Sequence, residues 1–224
     1  MSIRDMVARH SDFDETADFI PTPPWATRAL YEYAAPDLKK SAPFLSVWDP
    51  ACGQGHMLGV FDEYKHPLIG GSDINPDVLH HRLKPNHCLW EEDFTAKSKY
   101  DNDVALEEAD VIITNPPYKH LNRFIEKGLE NSRVGLGLLV RVQSLEGEAR
   151  SKIYLKTPPT QIAFFANRIP FKTGAVVQKA PKMFFHVWLW WSKTFSGVAS
   201  PKPPMWIPFD SQARLEKDAD YGTQ

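Results

Sequence analysis

Short apolar runs recur along this chain, and each of the first four is closed by an acid or an asparagine. Phe44–Trp48 leads into Asp49-Pro50 and a glycine turn, Leu68–Gly71 into Ser72-Asp73, His87–Trp90 into Glu91-Glu92-Asp93, and Ala109–Thr114 into Asn115. A fifth run covers Gly135–Val142, and two more follow at Gln161–Asn167 and Lys182–Trp191. Continuous apolar runs of this length predict strands covered on both faces. The helix-compatible stretches Gly55–Glu63 and Asn122–Asn131 fall between runs. Strands alternating with helices predict a mostly parallel α/β sheet. The last two runs are joined by a loop too poor in helix formers for a crossover, so they are expected to pair antiparallel. In such a sheet ligands bind beyond the carboxyl ends of the strands, and that is where Asp49–Gly55, Asp73, Asp93 and Asn115–Tyr118 fall.

Composition narrows this picture. A chain of 224 residues suits one α/β domain, and 42 % hydrophobic residues are enough for a sizeable core. No apolar run reaches the roughly 18 residues a membrane helix needs. Met1–Asp18 holds four Asp and one Glu without an apolar stretch, so it does not read as a signal peptide, and a cytoplasmic location is expected. Cys52 and Cys88 are too few for a disulfide framework or a metal-ligand spacing, so two reduced thiols and no metal are expected. The net charge of −2 conceals a split: residues 1–130 hold 13 Lys and Arg against 22 Asp and Glu, whereas residues 131–209 hold 11 Lys and Arg against two acids. A basic second part is compatible with an anionic partner such as nucleic acid, and equally with an ordinary solvated surface.

The turn Asp49-Pro50-Ala51-Cys52-Gly53-Gln54-Gly55 ends the first run and opens a helix. Glycines there let the backbone turn sharply and touch a ligand, while the helix N-terminus offers N–H groups and partial positive charge to an anion. A dinucleotide fingerprint would want a third small residue three places after Gly55; Leu58 stands there, which argues against NAD and FAD. Asp73, twenty residues after Gly53, is placed to bind the hydroxyls of a ribose. Asp93 can accept from an adenine amine and Phe94 can pack on its ring. Each feature alone is weak, since strand-end Asp residues are common turn formers. In this order they describe a nucleoside-containing cofactor with an anionic tail.

Asn115-Pro116-Pro117-Tyr118 is the most specific signal. Two prolines fix two φ angles and give up two N–H donors. The Asn115 side-chain oxygen and the Pro116 carbonyl remain as a rigid pair of acceptors for one NH₂ group. An aryl amine is a poor nucleophile because its lone pair is delocalised; two acceptors on its hydrogens favour the pyramidal amine of the transition state. Tyr118 can stack on a base, which must be flipped out of a duplex to arrive there. Pro-Pro also marks plain turns and recurs at 23–24, 158–159 and 203–204, but not after a buried strand and an Asn.

These residues resemble the class I S-adenosylmethionine-dependent amino-methyltransferases, and in particular small phage- and plasmid-type DNA adenine-N6 methyltransferases. The resemblance implies a Rossmann-like, seven-stranded, mostly parallel sheet with an antiparallel final hairpin, in a single domain over residues 19–195. Residues 1–18 would be a flexible N-terminal segment and 196–224 a C-terminal tail. It implies S-adenosyl-L-methionine as cofactor, held by Thr22 and Pro23 of the Phe19–Trp25 segment, by Asp49, Ala51, Gly53 and Gly55, and by Asp73, Ile74, Asp93 and Phe94. It implies Asn115, Pro116, Pro117 and Tyr118 as the catalytic tetrad acting on adenine in DNA. Arg141, Arg168, Lys172, Lys179 and Lys182 are candidates for contacting phosphate, which would position a strand without reading its sequence. The span from Gly55 to Asn115 is filled by expected strands and helices and about 30 residues follow Lys193. No full target-recognition domain is expected in that space, and short or relaxed sequence specificity is. Oligomeric state stays open between monomer and homodimer. RNA (adenine N6 or guanine N2) and protein glutamine are alternative substrates of the same chemistry. A non-catalytic cofactor- or nucleic-acid-binding protein is a reading of a different class.

Overall fold

The computed structural model describes residues 21–76, 84–96, 108–170, 172–173, 178–179 and 184–221, the two short stretches as backbone only. Five parallel strands form one side of the main sheet: β1 (Val47–Asp49), β2 (Ile69–Asp73), β3 (His87–Glu91), β4 (Ala109–Thr114) and β5 (Ser132–Arg141). They are followed by β6 (Gln161–Phe165), the two-residue β7 (Lys172–Thr173) and β8 (Gln178–Lys179), β9 (His186–Thr194), β10 (Gly197–Val198) and β11 (Met205–Ile207). The strand order is β11-β6-β9-β5-β4-β1-β2-β3, with β10 paired to β9. β9 lies antiparallel between β5 and β6, as the loop between the last two apolar runs led one to expect. β11 adds a parallel edge strand beside β6.

Six short α-helices are described: α1 (Pro24–Ala29), α2 (Pro36–Ser41), α3 (His56–Glu63), α4 (Leu121–Asn131), α5 (Glu148–Lys156) and α6 (Ser211–Leu215). Each strand of the centre is buried on both faces, so its residues alternate between two cores. Val111, Ile113, Leu139, Trp188 and Trp190 belong to one, with Trp25, Leu30 and Phe61 from the helices. Ile112, Leu138, Val187, Leu189 and Trp191 belong to the other, with Phe124 and Ile125 of α4. The three tryptophans of β9 are thus core residues, and two buried indoles reach carbonyls: Trp188 donates to Ala26 (2.8 Å) and Trp191 to Thr157 (2.9 Å).

Two expectations are revised. The first strand starts later than Phe44, which is exposed in a 3₁₀ turn over Ala42–Phe44; Pro43 within that run withholds a ladder donor. The segment after 195, polar enough to read as a tail, supplies β10, β11 and α6. It is fastened by Arg28, buried in α1, whose guanidinium donates to both carboxylate oxygens of Glu63 (2.8 and 2.7 Å) and to Asp220 (2.7 Å). The same guanidinium also donates to the Leu215 carbonyl (2.6 Å). Residues 1–18, expected to be flexible, lie outside the described residues.

Candidate cofactor and substrate pocket

β1 delivers Asp49 to the carboxyl edge of the sheet. The turn that follows depends on two glycines with positive φ, Gly53 (49°) and Gly55 (74°), and Gly55 caps α3. The loop is laced to the end of β2: Cys52 N–H donates to the Ser72 carbonyl (2.9 Å) and Gly53 N–H to Asp73 Oδ2 (2.9 Å). Asp73 Oδ1 accepts from Asn75 N–H (3.0 Å). Asp73 therefore does serve as a turn former. Each of its oxygens retains a lone pair for a further donor. Asp49 accepts from Ala51 N–H (3.2 Å) and is almost wholly buried; burial pushes its carboxyl up to about 7, with the nearby Asp73 adding to the effect.

Beside this loop lies a cavity of about 490 Å³, within the usual size of small-molecule sites. Its walls bring together residues from four strand ends: Asp49, Ala51 and Gly53; Asp73 and Ile74; Asp93 and Phe94; and Asn115, Pro116, Pro117 and Tyr118, joined by Thr22 from the segment before α1. Ile74 is 66 % exposed although apolar, which leaves it free to cover a ring. Phe94 is buried edge-on against Trp48 (centroids 5.1 Å apart). Asp93 is held below the usual carboxylate range first by the Thr95 hydroxyl, which donates to it at 2.7 Å.

At the other end, Asn115 Nδ2–H donates to Thr22 Oγ1 (3.1 Å). That bond engages the amide through one N–H and leaves Oδ1 as an acceptor; Pro116 lines the same cavity. Tyr118 follows in a 3₁₀ turn; its hydroxyl lies 3.3 Å from His186 Nε2. Burial, with the charge of Arg141 nearby, pushes His186 down to about 4, so it is neutral at physiological pH.

Two expected cofactor residues stand apart from the lining. Gly55 serves to start α3, and Pro23 immediately precedes α1. Of the basic candidates, Arg141 packs on the Tyr118 ring (3.9 Å) and Arg168 on Phe185 (4.9 Å), and neither lines the cavity. Lys172 and Lys179 face each other in the β7–β8 ladder, and Lys182 lies outside the described residues. Sequence reasoning passed over Cys52, His56 and Met57, and also Lys119, His120 and Phe124, all of which line the cavity. Their signal was adjacency: Cys52 lies within the first motif and the others lie at the start of the helical segments that follow the two motifs, and helix starts share the strand-end rim.

No protein-family model and no curated protein matches the chain. Solved structures do share its fold. The M protein of the type I restriction enzyme EcoKI aligns over 88 % of this chain and 49 % of its own (14 % identity, TM-score 0.55). A proposed RNA methyltransferase from Pyrococcus horikoshii aligns over 72 % and 84 % (16 % identity, TM-score 0.51). A proposed hemolysin from Streptococcus thermophilus aligns over 84 % and 70 % (11 % identity, TM-score 0.54). Identities this low establish a common Rossmann-like α/β fold, on which the function has to be argued from the site.

Proposed function

We propose that this protein transfers a methyl group from S-adenosyl-L-methionine to an aryl amine, with N6 of adenine in DNA as the leading target. The observation that carries this reading is the Asn115–Thr22 hydrogen bond, which engages the amide through its nitrogen and leaves its oxygen as an acceptor, in a cavity lined by all four residues Asn115–Tyr118. When bound, the cofactor would supply a methyl group on a positively charged sulfur. The cavity suits it: Asp73 offers acceptors to ribose hydroxyls, Ile74 and Phe94 offer apolar surface to adenine, and the first turn of α3 offers N–H groups to a carboxylate.

The residues of the tetrad have separable tasks. Asn115 Oδ1 and the Pro116 carbonyl accept the two amine hydrogens and hold the nitrogen pyramidal, so its lone pair points along the line of attack. The same two oxygens would stay hydrogen-bonded to the nitrogen as it is methylated, until its extra proton passes to water. Tyr118 supplies a ring face to the base. The basic second part of the chain and two neighbours, one a restriction-enzyme M protein and one a proposed RNA methyltransferase, support nucleic acid as substrate. RNA is the second reading, favoured by the same tetrad.

The test is label transfer from methyl-labelled cofactor to DNA, RNA and total protein in parallel, with digestion to identify the product base. Asn115→Ala is expected to lose about 10²–10³-fold in kcat, the size of one oriented transition-state contact. Thr22→Val, which frees the amide to rotate, is expected to lose about tenfold in kcat. Label in RNA alone would move the substrate, and label on glutamine would replace it. Bound cofactor with no transfer anywhere would make this a binding protein.

A further inference from the structure

Arg141 ends β5 opposite His186 in the ladder, beside the tetrad. Its guanidinium packs over two rings, 3.9 Å from the centroid of Tyr118 and 4.0 Å from that of Phe184. Its Nε is buried and has no hydrogen-bond partner among the described residues, and none of the ion pairs there engages it. A buried nitrogen donor without a partner calls for an explanation. Cation–π packing explains the position of the group but uses none of its donors. A guanidinium carries five N–H groups in its own plane, and packing over rings leaves them available to an acceptor.

We infer that Arg141 is a phosphate fork built into the base-stacking platform: one guanidinium that holds Tyr118 in place and binds, through its edge, a phosphodiester of the strand bearing the target base. This rests on the nucleic-acid reading above. Planar, two-pronged donors match phosphate oxygens in pairs. A nucleotide whose base reaches Tyr118 carries its own phosphodiesters past that ring, within reach of the Arg141 guanidinium packed over it. Packing of Arg141 on the Tyr118 ring contributes to its orientation, beside the contact of the Tyr118 hydroxyl with His186. Binding the strand and ordering the platform would then be one event. Arg168 on Phe185 has other contacts and is not part of this assignment.

The experiment measures binding of fluorescent single-stranded DNA and RNA 12-mers with one central adenine, across salt concentrations, beside methyl transfer to the same strands. Arg141→Gln is expected to weaken binding about tenfold at low salt and to lower the slope of log K against log salt by about 0.7, the value of one single-strand phosphate contact. A neutral methylphosphonate next to the adenine should weaken wild type by a similar factor and leave Arg141→Gln indifferent. Arg141→Lys should recover the salt slope but not the methyl-transfer rate at saturating strand, because an ammonium has no planar face for Tyr118. Cofactor affinity and melting temperature check that the variants fold. An unchanged slope in Arg141→Gln, with methyl transfer to the strand intact in wild type, overturns the fork and leaves the proposed activity standing. Wild type that binds cofactor but neither oligonucleotide overturns both. Whichever of DNA and RNA shows the slope change identifies the source of the phosphate.

Discussion

Asp49 shows how one buried carboxyl ties the cofactor turn to pH. Its folded value of about 7 lies above the ordinary 3.8, so the folded chain holds this proton more tightly than the unfolded one. The stability this gives is complete below the ordinary value and is lost as pH rises through about 7. Wild type should therefore lose up to about 4 kcal/mol relative to Asp49→Asn between roughly pH 4 and 8. Melting temperatures of the pair at both ends of that window test it, and a constant difference would show that Asp49 is ionised throughout. A sulfonium bound in the cavity that Asp49 lines would favour the carboxylate, so cofactor binding should release a proton near neutral pH. Calorimetry in buffers of different ionisation enthalpy reads that release. The acid at position 49 was legible because it closes a strand before a glycine turn. Its burial was not, since burial depends on which strands flank β1.

At the scale of elements, most strands were legible and their ends were not. Ala109–Thr114 is a strand throughout its expected span, because the apolar run Val111–Ile113 suits the centre of a parallel sheet. β9 ends three residues beyond its expected limit; polar Ser192–Thr194 continue the ladder because β10 folds back on them. Two glycines in these elements are predicted to respond oppositely to the same change. Gly59 sits in α3 with nothing within 4 Å of an added Cβ. Gly59→Ala should stabilise by about 0.5–1 kcal/mol through helix propensity. In β5, a Cβ on Gly135 would meet the Trp190 ring at 2.3 Å and the Trp191 carbonyl at 2.9 Å. Backbone cannot give way as a side chain can, and Gly135→Ala should cost about 1–3 kcal/mol. Chemical denaturation of both variants checks the pair; a neutral Gly135→Ala would mean that β9 can shift away from β5.

For the whole molecule, the Arg28 cluster joins three distant parts of the chain: α1, the end of α3 and the segment around Asp220. Both the Arg28 and Asp220 side chains are nearly fully buried, at 4 % and 3 % exposure. Removing one partner leaves a buried charge without compensation. Arg28→Met should destabilise by about 3 kcal/mol, which for a domain this size lowers the melting temperature by about 6–12 °C. Because α1 begins directly after Thr22 and Pro23, the loss should loosen the cofactor wall as well, and cofactor should restore part of the lost melting temperature. A melting temperature within a degree of wild type would show that the C-terminal segment is dispensable to the fold.

The sequence by itself determined what local chemistry dictates. Apolar runs with acids at their ends set the strands and the rim on which chemistry is placed; two glycines set the cofactor turn; and two prolines after Asn115 set the rigid acceptor edge. Only the tertiary structure decided what depends on contacts between distant positions. It engaged the Asn115 amide by bringing Thr22 from 93 residues away, and it placed Arg141 against Tyr118 by pairing β5 beside β4. It also tied the charged C-terminal segment to a buried arginine in α1. The reason in each case is the same: a side chain's residue type fixes which partners it can use, but its orientation and burial come from neighbours that sequence separation does not reveal.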